Sequence, residues 1–202
     1  LKDCRYHLQD GPKGAESMIF ITEGDSATGT MVNARDVSYQ AIFSLRGKPE
    51  NMFGKRKTAL FENEELKNLT FSLGVQKDVA DLRYDKIVIA TDADNDGYHI
   101  RNLVMTYLLL YFEELVLSGH VYILETPLFR VRNRRTKIKN KNVVADADAR
   151  LTGKEKKSDF ITRYCYSEDE RQQAIRDLGP DPEITRFKGL GEISPEEFAH
   201  FI

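Results

Sequence analysis

Lys86-Ile-Val-Ile-Ala-Thr-Asp92-Ala-Asp94-Asn-Asp96-Gly97 joins an apolar run to three aspartates spaced two residues apart. The run is short, continuous and rich in β-branched residues, which predicts a strand buried on both faces of a sheet. Two like charges about 4 Å apart repel by roughly 4 kcal/mol at an effective dielectric near 20, so three carboxylates on one turn favour a bound cation. Magnesium is the expected ion, because it accepts one or two carboxylates and keeps positions for water and phosphate oxygens. A solvated acidic turn is the alternative that the aspartates alone leave open.

Two other kinds of site share this spacing. A calcium loop requires a glutamate at its twelfth position, where this chain has Leu103, and it requires a helix where this chain has an apolar run. An aspartyl phosphotransferase places its nucleophilic aspartate directly after a strand, and this alternative stays open.

Composition limits the class of protein. The chain has 202 residues, a formal net charge of -2 and 41% hydrophobic residues, so it is expected to be globular, and any contact with a polyanion must be local. Its two cysteines, Cys4 and Cys165, are too few for a disulfide framework or a zinc site, which favours a reducing cytosol. The apolar stretch over 107–117 is too short to cross a bilayer, so no membrane partner is expected. Because the chain begins with Leu1, we expect it to be a piece of a longer protein.

Strand and helix patterns alternate along the first part of the chain. Strands are predicted over 18–22, 41–45, 86–90 and 121–124, and helices over 63–73 and 99–117. This order predicts an α/β fold with a mostly parallel sheet, in which ligands lie beyond the carboxyl ends of the strands. Glu23 follows the first strand as Asp92 follows the third, so we expect them to converge on one site.

The second part of the chain is divided by a polar segment. Seven basic and no acidic residues occur over 130–141, and this run either grips phosphates or forms a solvated loop. We expect a core over 1–131, a polar and basic insertion over 132–159 and a C-terminal part over 160–202. That last part is predicted to contain a strand over 160–166 and a helix over 167–178, and to end in a helix capped by Ser194.

Three separated segments together resemble the Toprim region of the B subunits of bacterial type IIA DNA topoisomerases. They are Glu23-Gly-Asp25-Ser-Ala27, Thr91-Asp-Ala-Asp-Asn-Asp-Gly97 with His99, and Lys188-Gly-Leu-Gly-Glu192. The resemblance implies a Toprim (Rossmann-like) α/β fold, with helices flanking the sheet and a C-terminal helical tail segment. Phe43-Ser-Leu-Arg-Gly-Lys-Pro49 and Ile184-Thr-Arg-Phe-Lys-Gly-Leu-Gly-Glu-Ile-Ser-Pro195 are most similar to the topoisomerase IV branch, with gyrase second. Another Toprim enzyme, a primase or a nuclease, is a more remote alternative.

The resemblance also implies a mechanism. A DNA phosphate is attacked by a tyrosine of the partner A subunit, and the Toprim site supplies Mg²⁺, for which Mn²⁺ can substitute. Glu23 and Asp92 are implied to hold the ion at the scissile phosphate, Asp92 and Asp94 to hold a second position, and Asp96 to support the cluster. Glu23 is also the implied general acid and base.

Three basic residues are candidates for contact with DNA. Arg46 and Lys48 follow the second strand, and Lys188 precedes two glycines, although surface ion pairs and a helix-capping turn are the simpler alternatives. The resemblance places Asp25 and Lys48 near the inhibitors of the cleavage complex.

The implied assembly is larger than this chain. Its partners are DNA and the A subunit of topoisomerase IV or gyrase, in an A2B2 heterotetramer associated with the nucleoid in the cytoplasm. ATP is implied only through an N-terminal region that these residues do not contain, and the fragment alone is expected to be inactive.

Overall fold

The computed structural model of the chain describes residues 1–139, 143 and 159–202, with residues 25–27 described by their backbone alone. The chain forms two compact units. The first contains Leu1–Glu125 and Gly189–Ile202, and the second contains Thr126–Lys188.

The first unit is built on a four-stranded parallel sheet. Its strands are β1 (Met18–Glu23), β2 (Gln40–Leu45), β3 (Lys86–Ala90) and β4 (Val121–Ile123), in the order β2-β1-β3-β4. Phe20 of the central strand β1 is paired with Ile42 on one side and Val88 on the other. The sheet therefore has the parallel α/β architecture that the sequence predicts, and β3 has the predicted bounds.

Helices flank this sheet. They are α1 (Gly24–Ala34), α2 (Lys57–Glu62), α3 (Glu64–Leu73), α4 (Asn95–Tyr111), α5 (Glu113–Leu117) and, in the C-terminal segment, α7 (Pro195–Phe198). Leu66 and Leu69 of α3 and Val104 and Tyr107 of α4 are fully buried in the core that includes the strands. The helix predicted over 99–117 is wrong in its bounds, because α4 begins earlier, at Asn95, and the non-helical backbone of Phe112 (φ -141°, ψ 41°) separates it from α5. Ser194 caps α7 as predicted, accepting a hydrogen bond from the Glu197 N–H.

The second unit contains an antiparallel sheet of three strands. The strands are β5 (Phe129–Arg134), β6 (Phe160–Cys165) and β7 (Glu183–Arg186), in the order β6-β5-β7, and helix α6 (Glu168–Leu178) packs against β5 and β6. Arg132 is paired with Thr162 and Glu183, so the expected start of the insertion at residue 132 falls inside a strand. The greater part of the expected insertion, 140–142 and 144–158, lies outside the described residues.

Of the helices that the structure describes, none is long and apolar enough to cross a membrane.

Candidate metal-binding site

The parallel pairing of β1 with β3 brings two of the predicted site residues to the same edge of the sheet. Thr22 is in register with Ala90, Glu23 ends β1, and Asp92 lies two residues beyond the end of β3. The carboxyl ends of parallel strands are the usual location of ligand sites in open α/β sheets. About seventy residues of sequence therefore separate two carboxylates that the fold places close enough to interact electrostatically.

Asp92 is held by the backbone of the C-terminal segment of the first unit. The N–H of Leu190 donates a hydrogen bond of 2.8 Å to Oδ1 of Asp92. Burial raises the pKa of Asp92, and the charges of Asp94 and Glu192 raise it further, while the Leu190 N–H opposes them. The carboxylate of Asp92 therefore lies in surroundings that disfavour its charge unless a cation is near.

Asp94 and Asp96 occupy the first turn of α4. Asp94 is the N-cap, and its Oδ1 accepts a hydrogen bond of 2.8 Å from the Gly97 N–H. Asp96 is 65% exposed, and its Oδ1 lies 2.7 Å from Nζ of Lys48. This contact lowers the pKa of Asp96 and raises the pKa of Lys48. Lys48 is thus the positive charge that the fold itself supplies to the acidic turn.

Glu23 carries a buried polar atom of the site, Oε2, that has no hydrogen-bond partner among the residues that the structure describes. Burial raises the pKa of Glu23, the charges of Asp92, Asp94 and Asp96 raise it further, and Lys48 opposes them. A buried carboxylate oxygen without a donor, in a group whose charge is opposed by other carboxylates, suits a hard divalent cation, which prefers oxygen ligands. The residues present therefore fit the metal that the sequence predicts.

These carboxylates do not form a closed ligand shell. Within the described part of the chain, only Asp3, Cys4 and His7 form a group of at least three candidate ligands with all ligand atoms within 4.8 Å of one another. That group already has its cation, since Nη2 of Arg83 lies 2.5 Å from Oδ2 of Asp3 and 2.7 Å from Nε2 of His7. Tyr84 donates a hydrogen bond of 2.7 Å to Oδ1 of Asp3. Burial would raise the pKa of Asp3, but its bonds with Tyr84, His7 and Arg83 hold that pKa well below its usual range. We interpret this cluster as a structural ion pair.

The other predicted site residues occupy different places. Arg46 directly follows β2, and its backbone N–H donates to Glu65 at 3.2 Å. Lys188 is the last residue of the second unit. Asp25 is in the first turn of α1, and its side chain lies outside the described residues.

The sequence did not predict that a backbone N–H group contributes to this site. The Lys188–Glu192 segment is one of the three that carry the resemblance, and its backbone makes a contact that the resemblance did not indicate, the hydrogen bond from the N–H of Leu190 to Asp92. A backbone donor has no side-chain signature, so only the two glycines of the segment hinted at a close approach.

Comparison with known proteins adds three findings. The family model described as "Toprim domain" matches residues 18–126. The chain is 55% identical over 203 residues to the B subunit of DNA topoisomerase 4 from Borreliella burgdorferi, covering 100% of this chain and 30% of the relative. It is 36% identical over 206 residues to the B subunit of DNA gyrase from Thermus thermophilus, covering 98% of this chain and 28% of that protein.

A solved structure with the same fold is also known. The crystal structure of the Plasmodium falciparum topoisomerase II DNA-binding, cleavage and re-ligation domain matches with a TM-score of 0.71 and 21% identity, covering 99% of this chain and 25% of that chain. At this identity the match supports the fold alone. The chain spans less than a third of the length of each of these relatives.

Proposed function

This chain belongs to the Toprim domain family, and we propose that it is the metal-binding part of the DNA cleavage and religation site in the B subunit of a bacterial type IIA topoisomerase. The observation that carries the proposal is the buried Oε2 of Glu23, which has no hydrogen-bond partner among the described residues, in a carboxyl group whose pKa is raised by burial and by the charges of three aspartates. We assign Glu23 and Asp92 to one Mg²⁺ position, for which Mn²⁺ can substitute. Asp92 and Asp94 are assigned to a second position, with Asp96 as support.

The chemistry of the chain's own residues follows from this assignment. A bound divalent cation supplies positive charge where negative charge develops on the scissile phosphate and the departing oxygen. The tyrosine of the A subunit loses its hydroxyl proton to solvent as its oxygen bonds to phosphorus; the bond to the 3′ oxygen breaks, and Glu23 gives its proton to that oxygen. During resealing, the Glu23 carboxylate takes the proton back as the 3′ oxygen attacks phosphorus, and the tyrosine leaves as a phenolate that is reprotonated from solvent. Burial and the neighbouring aspartates raise the pKa of Glu23, which is the direction that favours a carboxyl group able to donate a proton.

Basic residues complete the proposed interface with DNA. Lys48, with its side chain 47% exposed, lies beside Asp96 and is proposed to bind a backbone phosphate next to the metal. Arg46 and Lys188 are proposed phosphate contacts as well. We also propose that inhibitors of the cleavage complex bind near Asp25 and Lys48.

Topoisomerase IV is the preferred subfamily. Identity is 55% over the whole chain to the topoisomerase 4 protein of Borreliella burgdorferi, against 36% over 206 residues to the gyrase protein of Thermus thermophilus. The proposed partners are DNA and the A subunit of topoisomerase IV, in an A2B2 assembly whose ATP site lies in another part of the larger protein.

Reconstitution tests the proposal. The full-length protein that contains this segment is mixed with the A subunit of topoisomerase IV or of gyrase, with Mg²⁺, ATP and plasmid DNA. We expect efficient decatenation without negative supercoiling, whereas ATP-driven negative supercoiling would identify gyrase. The 202-residue chain alone should not relax DNA, because its proposed reaction uses a tyrosine of the A subunit.

Substitutions separate the site from the fold. Glu23→Ala and Asp92→Ala are expected to abolish cleavage in the reconstituted enzyme and to preserve its circular dichroism spectrum. Cleavage at the wild-type rate by both variants would contradict the proposed site.

A further inference from the structure

The segment that begins at Gly189 approaches Asp92 with its backbone. Leu190 donates to Oδ1 of Asp92 across 98 positions of sequence. Leu190 is only 1% exposed and begins a 3-10 turn, Leu190–Glu192, that packs against α1. Packing therefore holds the Leu190 N–H in place, so that this donor can fix the orientation of the Asp92 carboxylate.

Gly189 lies against the same carboxylate, so that a side chain at this position would meet Asp92 where it now stands. A Cβ atom at this position would lie 2.9 Å from Oδ2, 3.1 Å from Cγ and 3.2 Å from Oδ1 of Asp92. The backbone of Gly189 is extended, with φ -150° and ψ 165°, which any residue adopts. Glycine is therefore favoured at this position because it leaves room for the Asp92 side chain. Its backbone conformation would suit any residue.

We infer that Gly189 and Leu190 are positioning residues for the proposed metal ligand Asp92. The Leu190 N–H sets the orientation of the carboxylate, and Gly189 provides the room in which that orientation is possible. Donors that orient a metal ligand are typically worth 10- to 100-fold in metal affinity when they are lost. This inference rests on the proposed function, because it concerns how Asp92 meets the ion.

The decisive variant is Gly189→Ala. The atoms that the new methyl group would meet belong to the end of the Asp92 side chain, which can rotate away at little cost to folding. We therefore expect a folded protein whose carboxylate is displaced. Its dissociation constant for Mn²⁺, measured on the 202-residue chain by electron paramagnetic resonance, should rise by about 10- to 100-fold.

Gly29→Ala is the matched control. Gly29 lies inside α1, its φ is not positive, and a Cβ there would meet nothing within 4 Å. This variant adds the same methyl group and should bind Mn²⁺ as the wild type does. Binding by Gly189→Ala within about twofold of the wild type would overturn the positioning role, since an orienting contact is worth far more.

The variant Asp92→Ala distinguishes a failure of the positioning role from a failure of the proposed metal site. If the wild type binds Mn²⁺ and Asp92→Ala does not, Asp92 is supported as a metal ligand. The result for Gly189→Ala then tests the positioning role of Gly189 and Leu190 by itself. If wild type and Asp92→Ala give the same binding, the metal assignment of Asp92 fails and the inference fails with it.

A measurement on the wild type covers the case in which Gly189→Ala does not fold. In ¹⁵N-labelled protein, titration with Mg²⁺ should move the amide resonance of Leu190, and this shift should be absent from Asp92→Ala. A Leu190 resonance that does not respond while the wild type binds Mg²⁺ would also overturn the positioning role.

Discussion

Glu23 and Asp92 make the folded chain sensitive to pH in an unusual direction. Burial and neighbouring carboxylates raise the pKa of both groups. The folded state therefore binds more protons than the unfolded state between the ordinary and the raised pKa of each group. The free energy of unfolding falls as the pH rises through that window, and a bound cation should restore the stability that is lost there.

Glu23→Gln tests this account. The amide removes one charge from the acidic cluster and keeps the shape of the side chain. In EDTA near neutral pH, we expect a melting temperature about 2 °C above that of the wild type, since about 1 kcal/mol corresponds to 2–4 °C in a domain of this size. The gain should shrink as the pH falls and the wild-type Glu23 becomes protonated.

The effect of Mg²⁺ on the melting temperature provides a second test of Glu23. Saturating Mg²⁺ should raise the melting temperature of the wild type and have a much smaller effect on Glu23→Gln. Equal responses of the two proteins to Mg²⁺, measured by scanning calorimetry, would remove Glu23 from the proposed ligands.

The positions of the acidic residues were accessible from sequence, but their environment was not. Glu23 and Asp92 follow apolar runs, and the edge of a parallel sheet is where such residues meet. The pairing of Lys48 with Asp96 and the Leu190 donor depend on loops whose paths have no periodic pattern. Long-range contacts of this kind are fixed by tertiary packing, and local sequence does not encode them.

At the scale of elements, the junction between β3 and α4 is the tightest local structure of the site. A Cβ on Gly97 would lie 2.0 Å from the carbonyl oxygen of Asp92, which is a backbone atom. The first turn of α4 can therefore approach the end of β3 only because residue 97 has no side chain. This close packing keeps Asp92 and the capping residue Asp94 in one compact turn.

Gly97→Ala should consequently destabilise the protein. Relief of the clash requires movement of backbone, and we expect a loss of about 3 kcal/mol, or roughly 6 to 12 °C in melting temperature. Gly29→Ala should instead leave the melting temperature unchanged or raise it slightly, because alanine is favoured over glycine in a helix interior. A melting temperature for Gly97→Ala equal to that of the wild type would show that the turn relaxes easily.

The elements also show that the first residues of the expected insertion, 132–134, lie in a strand. In β5, Phe129, Val131 and Asn133 are buried, while the alternate positions are arginines that lie less deeply. This is the period-two alternation of a strand with one buried face, but the density of positive charge led to the prediction of an insertion. By contrast, β3 is apolar and buried from Ile87 to Ala90 because both of its faces are covered there, and its bounds were predicted without error.

At the scale of the whole molecule, the net charge is small, and individual charged residues determine how the chain can interact with DNA. The formal net charge of -2 gives the chain no general attraction for DNA, and the proposed metal turn itself repels phosphate. The proposed affinity for DNA must then depend on individual cations near that turn and on the proposed metal. Lys48 contacts the acidic turn directly, through Asp96.

Lys48→Ala and Lys86→Ala form a matched pair for testing this arrangement. Each substitution takes the formal net charge from -2 to -3, so both have the same effect on long-range attraction. Lys86 begins β3, at the end of the strand opposite to Asp92, and its Nζ lies 3.5 Å from Asp85. In titrations of labelled duplex DNA at several salt concentrations with Mg²⁺, Lys48→Ala should weaken binding and lower the slope of log K against log salt by about 1. Lys86→Ala should keep the wild-type slope, and equal losses in the two variants would mean that net charge, rather than a phosphate contact at Lys48, accounts for the effect.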